Sequence, residues 1–363
     1  MSDLPTGPAG DLYEEELTAS LPHREAQWQE LEAYTERVVA EGAAREVYPA
    51  DFSSEAAYLR TIEPLRELLR ERIGYPPPGL GAAGEARLEL VGEDRLARYY
   101  RAWIPLATAA GELHVYGLYL VPQGLTGPAP LVLAQHGGGG TPEATIFAGG
   151  ANYKDMTRGA AARGYVVFAP GLLFNPFSDL EVESLLPADA RRRLDQRLRL
   201  VGTSLTALEV AKLSRALDAL LVRPEVDAER VAMVGLSYGG YYTLYATALE
   251  PRIRVAVSSC YFNDQAQRMA AEFPQNWSDM RFAGTVSELA DPELAALICP
   301  RPLQVQVGEE DTLFNIDAAR QAAQRAGEYY QRLGAEERWD FQACAGGHEW
   351  FGEEAWGFLE RWL

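Results

Sequence analysis

Two hydrophobic patterns divide the chain near residue 85. Before that point, apolar residues recur at three- and four-residue steps over 22–44 and 53–73, a spacing that predicts two amphipathic helices. The segment 74–79 is rich in proline and glycine and cannot continue a helix. We therefore predict a helical N-terminal extension over residues 1–85 and a separate folded domain over 86–363.

Beyond residue 86 the pattern changes to that of an α/β protein. Segments 86–91, 96–104 and 113–121 run between turn residues and predict antiparallel strands at the start of a sheet. Strands and helices then alternate, with strands at 131–135, 165–169, 230–234, 253–259, 302–307 and 338–343, and helices near 154–163, 203–222, 238–249, 286–297, 316–333 and 351–362. This alternation predicts right-handed crossovers around a mostly parallel twisted sheet with helices on both faces.

One connection, residues 170–202, is too long for a simple crossover and is predicted to be a lid insertion. It contains Phe174 and Phe177, and it contains five arginines at 191, 192, 193, 197 and 199. Two interpretations of the arginines stay open. They form either an anion-binding patch or a solvated helix face that pairs with local acids.

Composition narrows the class of ligand. The chain of 363 residues has a net charge of −19, which opposes binding to nucleic acid and to anionic membrane surfaces and favours a small-molecule substrate. No secretion signal or apolar run of about 20 residues is present, so we expect a cytoplasmic, soluble protein. Cys260, Cys299 and Cys344 lack the spacing of a zinc site or disulfide framework, which predicts buried thiols and no bound metal.

The strongest chemical signal is the pentapeptide Gly-Leu-Ser-Tyr-Gly at 235–239. It lies between an apolar strand and a predicted helix, the context of a nucleophile elbow, and this makes Ser237 the candidate nucleophile. The flanking glycines permit a strand to reverse sharply into a helix, because a β-carbon at either position would crowd the turn. Such a pentapeptide arises by chance often enough that its surroundings must support it.

A serine nucleophile needs a base, and the base needs an orienting acid. Of four histidines only His348 follows Ser237, and it lies in a glycine-rich loop between the last strand and the last helix. Asp311, after the preceding strand, is the predicted acid, with Glu309 and Glu310 as solvated neighbours. Asp264, after the strand that ends near residue 259, is the rival.

The site also needs amide N–H groups to bind negative charge on the carbonyl oxygen. One predicted donor is the amide of Tyr238, which follows the nucleophile. The other lies in the glycine run at 137–140, where Gly138 is the first choice and Gly137 the second. His136, which precedes the run, is expected to brace this loop rather than to titrate.

These residues together resemble a serine hydrolase of the α/β-hydrolase superfamily, and the resemblance covers residues 86–363, which would be the catalytic domain. The sequences at 117–122, 135–138 and 223–227, followed by the pentapeptide, are similar to the dienelactone-hydrolase-like and acetyl-xylan-esterase-like branch. That similarity implies ester hydrolysis without a cofactor. Dienelactone hydrolase itself uses a cysteine where this chain has Ser237, so its substrate is not carried over.

Alternatives remain open. Tyr238 in the elbow also resembles prolyl-oligopeptidase-type peptidases, which suggests an exopeptidase or amidase, although the pattern of residues 1–85 predicts helices and not the β-propeller of those peptidases. A catalytically silent fold used for binding, or acyl transfer to an acceptor other than water, are the other candidates. The N-terminal helices could cover their own domain or mediate a homo-oligomer. Loop position alone suggests six aromatic residues as pocket lining: Phe147, Tyr153, Phe174, Phe177, Trp277 and Trp350.

Overall fold

The computed structural model describes residues 7, 13–44, 46–82, 84–147, 152–175, 189–266 and 278–363. The chain forms two compact units, Met1–Arg45 and Glu46–Leu363. The first contains helix α1 (Leu21–Ala43), in which no residue is buried. In the described part of the chain, no helix has the length and apolar character that a bilayer crossing requires.

The second unit contains all nine described strands and the remaining helices. The strands are β1 (Arg87–Glu93), β2 (Ala97–Thr108), β3 (Gly111–Pro122), β4 (Ala129–Gln135), β5 (Val166–Pro170), β6 (Val226–Leu236), β7 (Val255–Ser259), β8 (Leu303–Gly308) and β9 (Trp339–Cys344). The helices are α2 (Glu55–Ile73), α3 (Ala144–Phe147), α4 (Met156–Ala161), α5 (Ala190–Arg199), α6 (Leu205–Leu220), α7 (Tyr238–Leu249), α8 (Asp291–Ile298), α9 (Ile316–Leu333) and α10 (Gly352–Trp362).

All strands join one sheet in the order β1-β2-β3-β5-β4-β6-β7-β8-β9. The pairs β1–β2, β2–β3 and β3–β5 are antiparallel, and every pair from β5 across to β9 is parallel. The predicted α/β fold, a mostly parallel sheet that begins with antiparallel strands, is confirmed. Each of the nine strands falls where the hydrophobic pattern predicts one.

Apolar side chains fill both faces of the sheet. Leu131 and Leu133 of β4 belong to one buried cluster, whereas Val132 and Ala134 belong to another, as expected for alternate residues of a strand covered on both sides. Helix α2 contributes buried residues such as Tyr58 and Ile62 to the first cluster. Helix α2 therefore shares the core of the sheet, although it precedes residue 85 in the chain. The domain boundary at residue 85 stays a prediction.

The parallel strands determine where chemistry is possible. Their carboxyl ends lie along one edge, so the loops that follow β4, β6, β7, β8 and β9 meet there. Polar groups on such loops are held by a rigid scaffold while remaining accessible to a ligand. The residues after these five strands include every predicted catalytic residue.

Candidate active site

Ser237 lies at a sharp turn between β6 and α7. Its φ and ψ angles of 61° and −117° lie in a region that non-glycine residues rarely occupy, at a cost of ~1 to 3 kcal/mol. The turn is held because the Ser237 N–H donates to the Ser259 carbonyl (2.8 Å) and the Ser237 carbonyl accepts from the Tyr241 N–H (2.9 Å). Ser237 is half-buried between buried neighbours. A strained and partly accessible serine is the arrangement of a nucleophile elbow.

The two glycines of the pentapeptide are required by close backbone contacts. A β-carbon at Gly235 would lie 2.3 Å from the backbone of Gly239. A β-carbon at Gly239 would lie 2.0 Å from the carbonyl oxygen of Gln135 at the end of β4. The elbow therefore packs directly on the strand that leads into the glycine loop.

Gly239→Ala is expected to destabilise the fold by at least ~3 kcal/mol, because the new methyl group meets backbone atoms that cannot move without displacing β4. Urea denaturation followed by circular dichroism measures the free energy of unfolding. Gly357→Ala is the matched control, since Gly357 is exposed in α10 with no heavy atom within 4 Å of the added carbon. The control should gain ~0.5 to 1 kcal/mol. Equal stabilities would contradict the packing described for the elbow.

The structure brings the predicted base and acid into contact. Asp311 Oδ2 lies 2.8 Å from His348 Nδ1, while Asp311 Oδ1 accepts from the backbone N–H groups of Leu313 (2.8 Å) and Phe314 (3.2 Å). The Phe314 ring stacks on the imidazole, with centroids 5.9 Å apart. Burial alone would raise the pKa of Asp311, but the hydrogen bond and charge of His348 hold that pKa below its usual value.

An ionised Asp311 can only accept hydrogen bonds, so the proton on the neutral imidazole resides on Nδ1. Nε2 is then the nitrogen that can accept a proton from a nucleophile. The rival acid has a different local role, since Asp264 Oδ1 accepts from the Ala266 N–H (2.9 Å). Glu309, a solvated neighbour by prediction, is half-exposed and pairs with Arg320 (3.4 Å).

Cys260 is a residue of this region that the sequence reasoning missed. It follows β7 directly, has a φ of 50°, and its Sγ lies 3.4 Å from the Glu349 carbonyl and 3.8 Å from that of Gly347, on either side of His348. Burial, with the nearby charge of Asp311, raises the pKa of the thiol far above its usual value. The available signal in the sequence was the position of Cys260 directly after a central strand, where site residues of this fold lie. Cys260, Cys299 and Cys344 are all buried free thiols, as predicted.

The Cys260, Asp311 and His348 side chains also have donor atoms within 4.8 Å of one another, a spacing that could hold a metal ion. Within this group the Asp311 carboxylate and the His348 imidazole bond directly to each other. The group is better described as a hydrogen-bonded acid and base with a neutral thiol beside them.

The glycine loop after β4 packs against the elbow. A β-carbon at Gly137 would lie 2.9 Å from Ser237 Cβ, and one at Gly138 would lie 3.1 Å from the ring of Tyr238. The Gly137 N–H, the second choice of oxyanion donor, donates instead to the Tyr153 hydroxyl (3.0 Å). This contact favours Gly138 over Gly137.

The direction of the Gly138 N–H follows from the peptide that it shares with Gly137. The Gly137 carbonyl accepts from His136 Nδ1 (2.8 Å) and from the Gly140 N–H (3.3 Å). In a trans peptide the N–H points away from the carbonyl, so the Gly138 N–H is directed away from His136. His136 thus braces the loop and orients its amide groups.

Burial lowers the pKa of His136 from its usual 6.5 to about 3, and Nε2 accepts from the Leu172 N–H (3.1 Å). As the pH falls from 6.5 towards 3, the unfolded chain binds a proton that the folded protein does not. The resulting stability is complete above pH 6.5 and is lost on acidification, by up to an amount on the order of 5 kcal/mol. Urea midpoints between about pH 4 and pH 7 should therefore fall less for His136→Gln than for the wild type. Parallel pH profiles would contradict this assignment.

A buried ion pair contacts the end of the strand that leads into the glycine loop. The sequence analysis did not predict it. Lys212 and Glu209 of α6 are fully buried and contact each other. Lys212 Nζ donates to Gln135 Oε1 (2.9 Å) and to the Gly171 carbonyl (2.9 Å), and Glu209 accepts from the Leu173 N–H (2.7 Å). The available signal in the sequence was a lysine, one of only two in the chain, three residues after a glutamate on a mostly apolar helix.

Described parts of the predicted lid contact Tyr238. The Phe174 ring lies 5.4 Å from the Tyr238 ring, and the Arg191 guanidinium lies 4.9 Å from the same ring and 3.2 Å from Asp279. Three other arginines of the lid pair with local acids, as the second interpretation expects: Arg192 and Arg193 with Asp189, and Arg199 with Asp195.

The six aromatic residues suggested as pocket lining divide into three groups. Phe147 is largely exposed, whereas Tyr153, Phe174 and Trp350 are buried. Trp350 packs on Trp356 in the core, with ring centroids 5.5 Å apart. Phe177 and Trp277 lie outside the described residues, as does the middle of the predicted lid.

A family model and a curated relative both match this chain. The model of the dienelactone hydrolase family matches residues 144–332, more than half of the chain, and the protein belongs to that family. YtaP of Bacillus subtilis strain 168, a hydrolase by its assigned name only, is 25% identical over 256 residues, which cover 68% of this chain and 82% of YtaP. The chain is therefore a member of a hydrolase family.

Solved structures show the same fold at low sequence identity. A CE15 glucuronoyl esterase from Teredinibacter turnerae T7901 aligns with a TM-score of 0.63 at 17% identity, over 89% of this chain and 90% of that one. The acetyl xylan esterase from Paenibacillus sp. R4 aligns with a TM-score of 0.53 at 19% identity, over 87% and 98%. The α/β-hydrolase fold is thereby shown.

Proposed function

We propose that the protein is a serine esterase that hydrolyses carboxylic esters of small molecules through an acyl-enzyme on Ser237. The observation that carries the proposal is the 2.8 Å bond between His348 and Asp311 at the sheet edge where Ser237 is held in a strained elbow. The nucleophile follows β6, the acid follows β8 and the base follows β9, which is the chain order of this fold.

In the proposed mechanism, Ser237 Oγ attacks the ester carbonyl and its proton passes to His348 Nε2. Asp311 holds the imidazole in the required tautomer and stabilises the imidazolium that forms. The amides of Tyr238 and Gly138 bind the oxyanion. The tetrahedral intermediate collapses, the alcohol leaves with the proton from His348, and the same base then activates water to release the acid.

Two considerations bear on the substrate. Structural relatives named as acetyl xylan and glucuronoyl esterases suggest esters of carbohydrates, either of an acetyl group or of a sugar acid. The net charge of −19 favours a small substrate over a nucleic acid or an anionic surface. No cofactor takes part in the proposed steps.

A graded panel tests the proposal: p-nitrophenyl esters of increasing acyl length, acetylated sugars, methyl esters of sugar acids and aminoacyl amides. We expect ester hydrolysis to exceed amide hydrolysis, and we expect a fluorophosphonate probe to label the peptide that contains Ser237. Faster cleavage of the amides would favour the peptidase alternative. A folded wild-type protein that is neither labelled nor active would overturn the enzyme assignment in favour of a binding role.

Competing alcohols added to the best ester distinguish hydrolysis from acyl transfer. If water is the acceptor, the acid product should dominate, whereas a transferase would yield the new ester in preference. The comparison uses product analysis by mass spectrometry at equal conversion.

A further inference from the structure

Two consecutive residues beside the candidate site have a backbone conformation that side chains disfavour. Lys154 and Asp155 have φ angles of 44° and 54°, in the left-handed region. This conformation brings the β-carbon of each residue too close to the backbone, and it persists only where surrounding contacts enforce it. The contacts of residues 152–155 therefore indicate what the strained segment does.

On one side the segment holds the glycine loop. The Tyr153 hydroxyl accepts from the Gly137 N–H (3.0 Å), and Tyr153 is almost fully buried. A β-carbon at Gly140 would lie 2.0 Å from the same hydroxyl oxygen, so the loop closes tightly around this side chain. The other end of the loop is held by Asn175, whose Nδ2 donates to the Gly140 carbonyl (3.0 Å).

On the other side the segment holds the loop of the base. The Trp350 N–H donates to the Asn152 carbonyl (2.7 Å), and Lys154 Nζ lies 2.9 Å from Glu349 Oε2. Lys154 Nζ also lies 5.8 Å from the centre of the Phe351 ring. Glu349 and Trp350 directly follow His348 in the chain.

We propose that residues 152–155 are a positioning segment that keeps the oxyanion loop and the loop of His348 in fixed register, and that Tyr153 is its main positioning residue. This inference rests on the proposed esterase function. The transition state requires the amide donors and the imidazole at the same moment, and displacements of less than 1 Å at either are costly. One segment that contacts both loops meets that requirement.

Tyr153 acts through Gly137. The Tyr153 hydroxyl accepts a hydrogen bond from the Gly137 N–H, and His136 Nδ1 donates one to the Gly137 carbonyl. Both backbone polar groups of Gly137 are therefore fixed. The peptide that carries the Gly138 N–H is thereby held before substrate arrives. Preorganised donors need no rearrangement during the reaction, which is the source of their catalytic effect.

Tyr153→Phe removes only the hydroxyl and tests the inference. We expect kcat to fall roughly 10-fold or more while KM changes by less than about 3-fold. Affinity for an arylboronic acid, which forms a tetrahedral adduct with the nucleophile, should weaken by a factor similar to that in kcat/KM. Tyr119→Phe is the matched control, because Tyr119 is buried and its hydroxyl donates to Glu225 (2.9 Å) near the opposite end of the sheet.

A second variant tests whether the segment acts as a unit. Lys154→Met should lower kcat, and it should do so by a smaller factor in the Tyr153→Phe background, since one released contact already loosens the segment. It also keeps the inference testable if Tyr153→Phe does not fold. If Lys154→Met lowers kcat by the same factor in both backgrounds, the two contacts act independently and the proposed coupling is wrong.

Other outcomes separate the inference from the function on which it rests. Wild-type kcat and boronate affinity in Tyr153→Phe, or losses equal to those of Tyr119→Phe, would overturn the role of Tyr153 while leaving the esterase proposal intact. A wild-type protein that neither hydrolyses esters nor reacts with the fluorophosphonate would instead overturn the proposed function.

Discussion

Ser237→Ala is expected to lower kcat for the best ester by ~10⁵-fold or more and to abolish labelling by the fluorophosphonate. The reason is that no other group can form the acyl-enzyme once the Oγ is removed, so the remaining rate reflects only binding and the oxyanion donors. Initial rates with a p-nitrophenyl ester, together with intact-protein mass spectrometry of the labelled sample, measure both effects.

Relief of the backbone strain at Ser237 should raise the free energy of unfolding although activity is lost. Ser237 has a φ of 61°, and glycine adopts that conformation without penalty, so Ser237→Gly should be as inactive as the alanine variant but more stable by ~1 kcal/mol. Ser214→Ala is the matched control for activity, since this buried serine bonds Glu250 at the far end of α7. Full hydrolysis by Ser237→Ala would show that the nucleophile has been misassigned.

Asp311→Asn is expected to lower kcat by ~10³- to 10⁴-fold, because it reverses the tautomer of the base. Oδ1 of Asp311 accepts from two backbone N–H groups, so the oxygen of an asparagine must occupy that position. Its NH₂ group then faces His348 Nδ1 and donates to it. The imidazole proton moves to Nε2, which can no longer accept the proton of Ser237.

Asp264→Asn is the control for the acid, and we expect near wild-type rates from it. A large loss of activity in Asp264→Asn with little loss in Asp311→Asn would move the acid to the end of β7.

The pH dependence of the free energy of unfolding gives a second test of Asp311. The pKa of Asp311 is lowered by folding, so its contribution is present above the usual carboxyl pKa and is lost as the pH falls through the folded value. The free energy of unfolding of Asp311→Asn should therefore fall less than that of the wild type as the pH is lowered through this range.

Most of the fold could be predicted because its signals are local. Alternation and apolar runs mark each strand, and glycine or proline marks the turns between them, so all nine described strands were located. One helix was not predicted, and a second was predicted only as one of two interpretations of the arginine cluster. Helix α3 spans only Ala144–Phe147, and α5 is rich in arginine with Asp195 as its one buried residue, so neither shows an apolar stripe.

The candidate site was predicted where chain order and residue type determine it, and missed elsewhere. Ser237, Asp311 and His348 follow from an elbow motif and from the ends of later strands. Cys260, Tyr153 and Lys212 were not found as supporting residues because their partners are remote: Lys212 bonds Gln135, 77 residues away, and Cys260 contacts the carbonyl of Glu349, 89 residues away. No periodicity in the sequence reports such pairs.

The sequence by itself determined the succession of strands and helices along the chain, the elbow motif at Ser237 and the strands that Asp311 and His348 follow, since these depend on local pattern. Only the tertiary structure decided that the Gly137 amide bonds Tyr153, that His136 is buried and neutral, and that the strained residues Lys154 and Asp155 lie between two loops of the site. The physical reason is that hydrogen-bond direction and burial are properties of the packed chain, which no short stretch of sequence specifies.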